Sequence, residues 1–155
     1  MVSVTTPLVP SVEPSVDHVE AIADLLRAGT AFDVHVGEPE PPDDELTYPH
    51  YVVWGAPGSP ALQRLSGDGG EVWTRTQITC VGLTVLDVIG AADRARRALH
   101  RKRPTIPGRR CGDIEQDPEA AVAPPVPDPS VKSPPGRQVY ITALFFLLHS
   151  SPLTA

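Results

Sequence analysis

Apolar positions along this chain repeat with two periods, and the places where one period gives way to the other mark its elements. The clearest switch lies between Glu71 and Arg103. Residues 72–81, reading Val-Trp-Thr-Arg-Thr-Gln-Ile-Thr-Cys-Val, are rich in β-branched and aromatic side chains and predict a long strand. Gly82 breaks the run. Thr84 then stands where a helix N-cap would, with Asp87 three positions on as an imperfect capping box. Val85, Val88, Ile89, Ala92, Ala95 and Leu99 follow at helical spacing and form one apolar stripe of roughly 120°. A strand passing almost directly into an amphipathic helix predicts a unit in which the helix lies back across its own sheet. Gly82 is alone, without G-x-G-x-x-G or G-K-[ST], so the turn is no phosphate loop.

The remaining elements are read the same way. Residues 1–14 are polar and punctuated by Pro7, Pro10 and Pro14, which predicts an extended arm. A helix follows, with Ser15 or Asp17 as its cap, Val16, Val19, Ile22, Ala23 and Leu26 on its apolar face, and Gly29 just past its end. Phe32 to Val36 alternates as a short strand, and Tyr51 to Trp54 predicts a second, antiparallel to it. The loop between them, from Glu38 to Pro49, is acidic and rich in proline, so it cannot be regular. Gly55 to Gly70 is a second long loop, of a length associated with function or partner binding.

Past the central helix, residues 104–136 hold nine of the 19 prolines, with Ala123 to Pro135 close to polyproline in character. That stretch reads as an excursion which reaches along a partner or stays mobile. Arg137 to His149 is a strand apolar on both faces, with Val139, Ile141, Ala143, Phe145 and Leu147 against Tyr140, Leu144, Phe146 and Leu148. Strands of that kind are buried on both sides. With two helices to cover it, one side is left for another subunit. The expected domain spans residues 15–150, followed by a short tail at 151–155. Its fold class is α+β: a four-stranded, mostly antiparallel sheet with two helices packed on one face, in the order α-β-β-β-α-β.

The chain of 155 residues suits one core. Its net charge of −6 argues against a general nucleic-acid binder. The total conceals an asymmetry: residues 1–93 carry 14 acidic and 3 basic side chains, residues 94–155 carry 5 and 10. This is either the chance charge of a solvated surface or the mark of head-to-tail association between unlike faces. Two cysteines, Cys80 and Cys111, make no disulfide framework and suit a reducing cytosol. No secretory signal opens the chain, and the apolar run Ile141–Leu148 is far shorter than the roughly 20 residues that span a bilayer.

Candidate chemistry is sparse. The five histidines (His18, His35, His50, His100, His149) share no metal-binding spacing, Cys111 has no nucleophile signature, and Asp43-Asp44-Glu45 reads as a solvated loop tip. No catalytic, cofactor-binding or metal-binding residue is assigned. The basic segment is the strongest electrostatic feature: Arg94, Arg96, Arg97, Arg101, Lys102, Arg103, Arg109 and Arg110 fall within 17 residues. It serves as a solvated face favourable to the helix dipole, as a subunit contact, or as a nucleic-acid contact, although no aromatic interleaving or helix-turn-helix accompanies it. Arg96 falls inside the apolar stripe and should find a carboxylate or snorkel at the helix end.

The pattern resembles the tail terminator proteins of long-tailed phages, above all those of actinobacteria. The resembling parts are the helix ending Ala23-Asp24-Leu25-Leu26-Arg27-Ala28-Gly29, the loop Gly55-Ala56-Pro57-Gly58-Ser59, the passage from Thr76–Gly82 into Ala91–Leu99, and the pair Pro134-Pro135 ahead of the last strand. The likeness covers roughly residues 15 to 150 and is one of order and pattern; the N-terminal arm and the longer proline-rich stretch depart from it. It implies a non-enzymatic virion protein of the tail neck, assembled in the host cytoplasm as a hexameric ring. That ring would cap the head-proximal end of the tail tube, end tube polymerisation and dock the head-side connector. The partners implied are the chain itself, the tail tube protein and the connector or stopper protein, with genome DNA passing through the lumen unread. No cofactor and no membrane are implied. On this reading Arg94, Arg97, Arg101 and Arg103 form the subunit interface, Glu38, Glu40, Asp43, Asp44 and Glu45 an acidic loop at the lumen or an end face, and Pro57, Arg64 and Leu65 a partner-contact loop. The alternatives are a head–tail stopper or connector subunit and a small DNA-associated protein using the basic helix.

Overall fold

The computed structural model describes residues 12–39, 46–60, 70–128 and 138–153. Its elements in chain order are α1 (Pro14–Gly29), β1 (Asp33–Val36), β2 (His50–Trp54), β3 (Ser59–Pro60), β4 (Val72–Gly82), α2 (Val85–Leu99), β5 (Arg109–Cys111), β6 (Glu115–Gln116), β7 (Val126–Pro127) and β8 (Tyr140–Pro152). The class is α+β, a mixed sheet with two helices among the described residues. Its spine is the antiparallel pair β4–β8, matched residue for residue from Val72↔Ser150 to Gly82↔Tyr140. The sheet runs β1-β2-β4-β8-β5, with β3 continuing the edge of β4 beside β2 and with β6 and β7 sharing the outer edge of β8 with β5.

Three features differ from the sequence expectation. Strands β1 and β2 are parallel, Asp33 opposite His50 and Val36 opposite Val53. A tight hairpin would make them antiparallel, but the proline-rich connection over residues 37–49 is of the length, roughly a dozen residues, that returns the chain to the same end. The sheet also holds eight strand segments among the described residues where four were expected. The extra ones are short pieces of the loop at residues 55–70 and of the proline-rich stretch 104–136, and each pairs with a long strand over two or three residues only. Finally, the segment after α2 is no mere excursion. Ile106, Cys111 and Ile114 are buried in the main core, and β5 and β6 cover the edge of β8. Of the expected arm at residues 1–14, residues 1–11 lie outside the described residues, as does the run 129–137, while Pro14 already belongs to α1.

Alternation along β4 and β8 decides where the core sits. Thr74, Thr76, Ile78 and Cys80 face the helices with Thr142, Leu144, Phe146, Leu148 and Ser150, and all are buried. Ile22, Ala23 and Leu26 of α1, with Val88, Ala91, Ala92, Ala95, Ala98 and Leu99 of α2, close over them. Full burial of each large apolar side chain contributes about 1.5–3 kcal/mol, so this layer dominates the stability.

Both helices are rotated from the faces expected of them. In α1 the buried positions are His18, Ile22, Ala23 and Leu26, while Val16 is exposed. In α2 Ala91 and Ala98 turn inward, while Val85 and Ile89 turn out. The reason is close helix–helix packing: a Cβ on Gly29 would lie 2.7 Å from Ala98 Cβ, so the backbones meet where only small side chains fit. Tyr51 strengthens the same rotation, its hydroxyl donating to the Ala91 carbonyl at 2.6 Å.

The helix ends follow from local chemistry. Thr84 caps α2 as expected, its hydroxyl accepting from the Asp87 amide at 3.1 Å. In α1 the N-cap is Glu13 with Pro14 in the first turn, and the Ser15 hydroxyl is occupied by the Gly58 amide at 2.9 Å, so neither Ser15 nor Asp17 caps the helix. Gly29 remains helical, and Thr30 ends the helix with its amide and hydroxyl both donating to Leu26 O.

Candidate assembly surface

A buried polar chain fixes the base of the molecule. Arg109 Nε donates to Ser150 Oγ at 2.7 Å, and Ser150 Oγ lies 2.6 Å from His18 Nε2. His18 Nδ1 lies 2.7 Å from Thr74 Oγ1, which reaches the Leu148 carbonyl at 3.5 Å. One proton arrangement satisfies every link: each hydroxyl donates onward and His18 is neutral, protonated on Nδ1. Burial and the nearby Arg109 guanidinium hold the His18 pKa down to about 4. Arg109 also donates to Gly70 O and Ser150 O, so this basic residue is a strut between β5, β8 and the start of β4. Asp17 adds a carboxylate nearby, with Oδ2 buried and unpaired among the described residues. Ser150 beside His18 has the distance of a nucleophile and its base, but His18, Thr74, Arg109 and Ser150 are all buried and no substrate atom can reach the hydroxyl.

The cysteines are similarly closed. Cys80 and Cys111 are free and buried, and burial pushes the Cys80 thiol up to about 12 and raises that of Cys111. No group of three metal-ligating side chains forms among the described residues, and no described helix is long and apolar enough to cross a membrane.

What the described residues do present is uncovered apolar surface, in three places. The first is the sheet face opposite the helices. At one end Val52, Val81 and Val139 make a small core of their own with Tyr48, Leu83 and Ile141. Below it Ala143, Phe145 and Leu147 of β8 stay half-buried, with no helix above them among the described residues. Arg75 lays its guanidinium 4.1 Å from the Phe145 ring centre and pairs with Asp117 at 3.0 Å. Trp73, 45% exposed, packs at 4.7 Å on His149. A strand in the middle of a sheet is thus apolar on a side that the described residues leave largely open.

The second place is the outer face of α2. Leu86 is 79% exposed, and Val85 and Ile89 beside it are also open to solvent. Gly90 follows on the same stripe, and a Cβ there would meet nothing within 4 Å. Further along stand Arg94 and Arg97. They border a notch against Ala28, Gly29, Thr30 and Ala31 at the carbonyl end of α1, with Arg94 5.1 Å from the Phe32 ring centre. Neither has a carboxylate partner among the described residues. Arg96 does: it pairs with Asp93 at 3.2 Å and donates to Gln116 at 2.7 Å, as its place within the stripe requires.

The third place is a groove of about 510 Å³ between the start of α1 and the end of β2, walled by Val16, Val19, Val36, Trp54 and Pro57 with Glu20 at its rim.

The expected interface residues separate into two sets. Arg94 and Arg97 come together on α2. Arg101 instead turns the chain out of the helix at φ 61°, a conformation that favours glycine, and Arg103 is paired with Asp113 at 3.1 Å. Glu38 is exposed near a second hollow of about 390 Å³ on the open sheet face, beside Val52, Trp54 and Ile141. Glu40, Asp43, Asp44, Glu45, Arg64 and Leu65 lie outside the described residues. Sequence reasoning missed Val16, Leu86 and Gly90. A glycine inside a helix was the available signal.

No protein-family model matches the chain, and no curated protein matches it. Its fold is similar to that of a chain in the solved structure "Virion of native gene transfer agent (GTA) particle". The two share a TM-score of 0.57 and 14% identity over 92% of this chain and 99% of that one. Another solved chain superposes with a TM-score of 0.49 and 11% identity over 90% of this chain and 94% of its own length.

Proposed function

We propose that this chain is a virion structural protein which works by assembling, forming a ring that caps the head-proximal end of a phage-type tail tube and offers the docking surface for the head-side connector. The observation that carries the reading is the open apolar face of β8, where Ile141, Ala143, Phe145 and Leu147 lie half-buried in mid-sheet with no helix above them among the described residues. A chain that acted alone would place polar residues there. The likeness in fold to a virion chain supports the same reading, as do the dispersed and buried reactive groups, which leave no accessible catalytic constellation among the described residues.

In such a ring the tube protein and connector meet the end faces, and the acidic segment that begins at Glu38 suits a lumen through which DNA passes, because basic walls would retain it. The test is light scattering and negative-stain imaging of the purified protein, alone and with preassembled tail tubes. Ring-sized particles, or caps at one tube end only, are expected. Leu147→Glu should abolish the caps on tube ends while leaving the thermal transition in place, since Leu147 projects from the open face that a partner protein would cover. Caps that form as well with Leu147→Glu, or a wild-type chain that stays monomeric and ignores tubes, would refute the reading.

A further inference from the structure

We infer that the head-to-tail contact between two copies is made by the outer stripe of α2 on one copy and the α1–β2 groove on the next. This rests on the assembly reading above and adds the surfaces. On α2, Leu86 and Ile89 are followed by Gly90, then Arg94 and Arg97. On α1, Val16 at the groove is followed by Glu20 and Asp24, all exposed at successive turns. Leu86 to Arg94 and Val16 to Asp24 each span eight residues, about 12 Å of helix at 1.5 Å per residue. Laid side by side in one direction, the helices set apolar against apolar and cation against anion. The groove, walled by Val16, Val36, Trp54 and Pro57, has the volume to take the exposed Leu86 side chain.

Gly90 is the third element of the match. Within a helix, glycine costs about 0.5–1 kcal/mol relative to alanine, and no described residue approaches its Cα closely enough to require it. A flat place between an apolar knob and two guanidinium groups without a carboxylate partner among the described residues is what a neighbouring helix needs to come close. The occupant is a second copy because both halves of the match, acidic with apolar and basic with apolar, lie on the same chain at different places. That is the condition for a heterologous contact, which closes into a ring where the rotation from one copy to the next divides a full turn.

Sedimentation velocity over a concentration series, repeated with tail tubes, tests this with four proteins. Gly90→Gln should melt no lower than wild type, because the site is open and glutamine is the better helix former, yet associate about ten- to a hundredfold more weakly. Arg94→Glu/Arg97→Glu and Glu20→Arg/Asp24→Arg should each fail to associate alone, since each presents like charges to itself. An equimolar mixture of those two should associate, each supplying the face the other needs. Wild-type affinity in Gly90→Gln, or a mixture no better than its components, would overturn the assignment of surfaces while leaving the ring reading standing. A wild-type chain that is monomeric both alone and on tubes would remove the ring reading and this inference together.

Discussion

Acid should destabilise this protein through one histidine, and the size of the effect follows from its surroundings. His18 is fully buried between Thr74 and Ser150, with Arg109 beyond. Its pKa is held at about 4, against 6.5 in the unfolded chain. Between those values the unfolded chain takes up a proton that the native one refuses, so protonation favours unfolding. The contribution is therefore fully present above about pH 6.5 and is lost as pH falls toward 4. At 1.36 kcal/mol per pKa unit, the loss amounts to about 3 kcal/mol. Carboxylates also titrate near the lower end of this window, so the comparison must be with a protein that lacks only the imidazole. His18→Gln serves, since an amide can still hydrogen-bond the two hydroxyls and does not titrate. At neutral pH the variant should be less stable by about 1–3 kcal/mol for imperfectly remade hydrogen bonds. Urea unfolding at a series of pH values should then show the two curves converging as pH falls from about 6.5 to 4. Parallel curves would refute the argument, because they would mean that His18 is not held neutral by the fold. The consequence reaches the open sheet face. This same polar chain fixes the start of β4 against the end of β8, where Trp73 and His149 stack.

Two further substitutions probe the helix rotation that exposes the proposed contact. Gly29→Val should cost about 1–3 kcal/mol in thermal or urea unfolding, as overpacking does, because its Cβ would crowd Ala98 Cβ at 2.7 Å and Ala98 Cα at 3.3 Å; an unchanged midpoint would show that the helices are free to separate. Tyr51→Phe removes a hydroxyl that donates to Ala91 O at 2.6 Å. It should cost about 0.5–1.5 kcal/mol, seen as a lower urea midpoint with an unchanged slope.

How much of this could be read from residues alone differs by element. Strand β4, the capped helix α2 and the closing strand β8 are legible because each is long and keeps one period. A strand apolar on both faces also announced, before any coordinates, that two helices could not cover it. Arg96 was legible for the same reason: a cation inside an apolar stripe must find an anion, and it found Asp93. Short pieces were not legible. β5, β6 and β7 pair over two or three residues among prolines, too few for any period to register, yet the segment that carries β5 and β6 brings Ile106, Cys111 and Ile114 into the core. The parallel pairing of β1 with β2 depends on the path of a proline-rich loop that has no period at all.

Local sequence therefore determined which segments are helix or strand and that apolar surface would be left over, since both follow from spacing along one chain. The tertiary structure decided which residues form that surface. A helix with apolar residues around more than half its circumference can turn either way, and the turn is settled by a partner it meets only on folding. Gly29 against Ala98 and the Tyr51 hydroxyl on Ala91 settle it for α2, and His18 between Thr74 and Ser150 settles it for α1. Those contacts join residues distant in sequence, and they are what turns Val16, Leu86 and Ile89 outward.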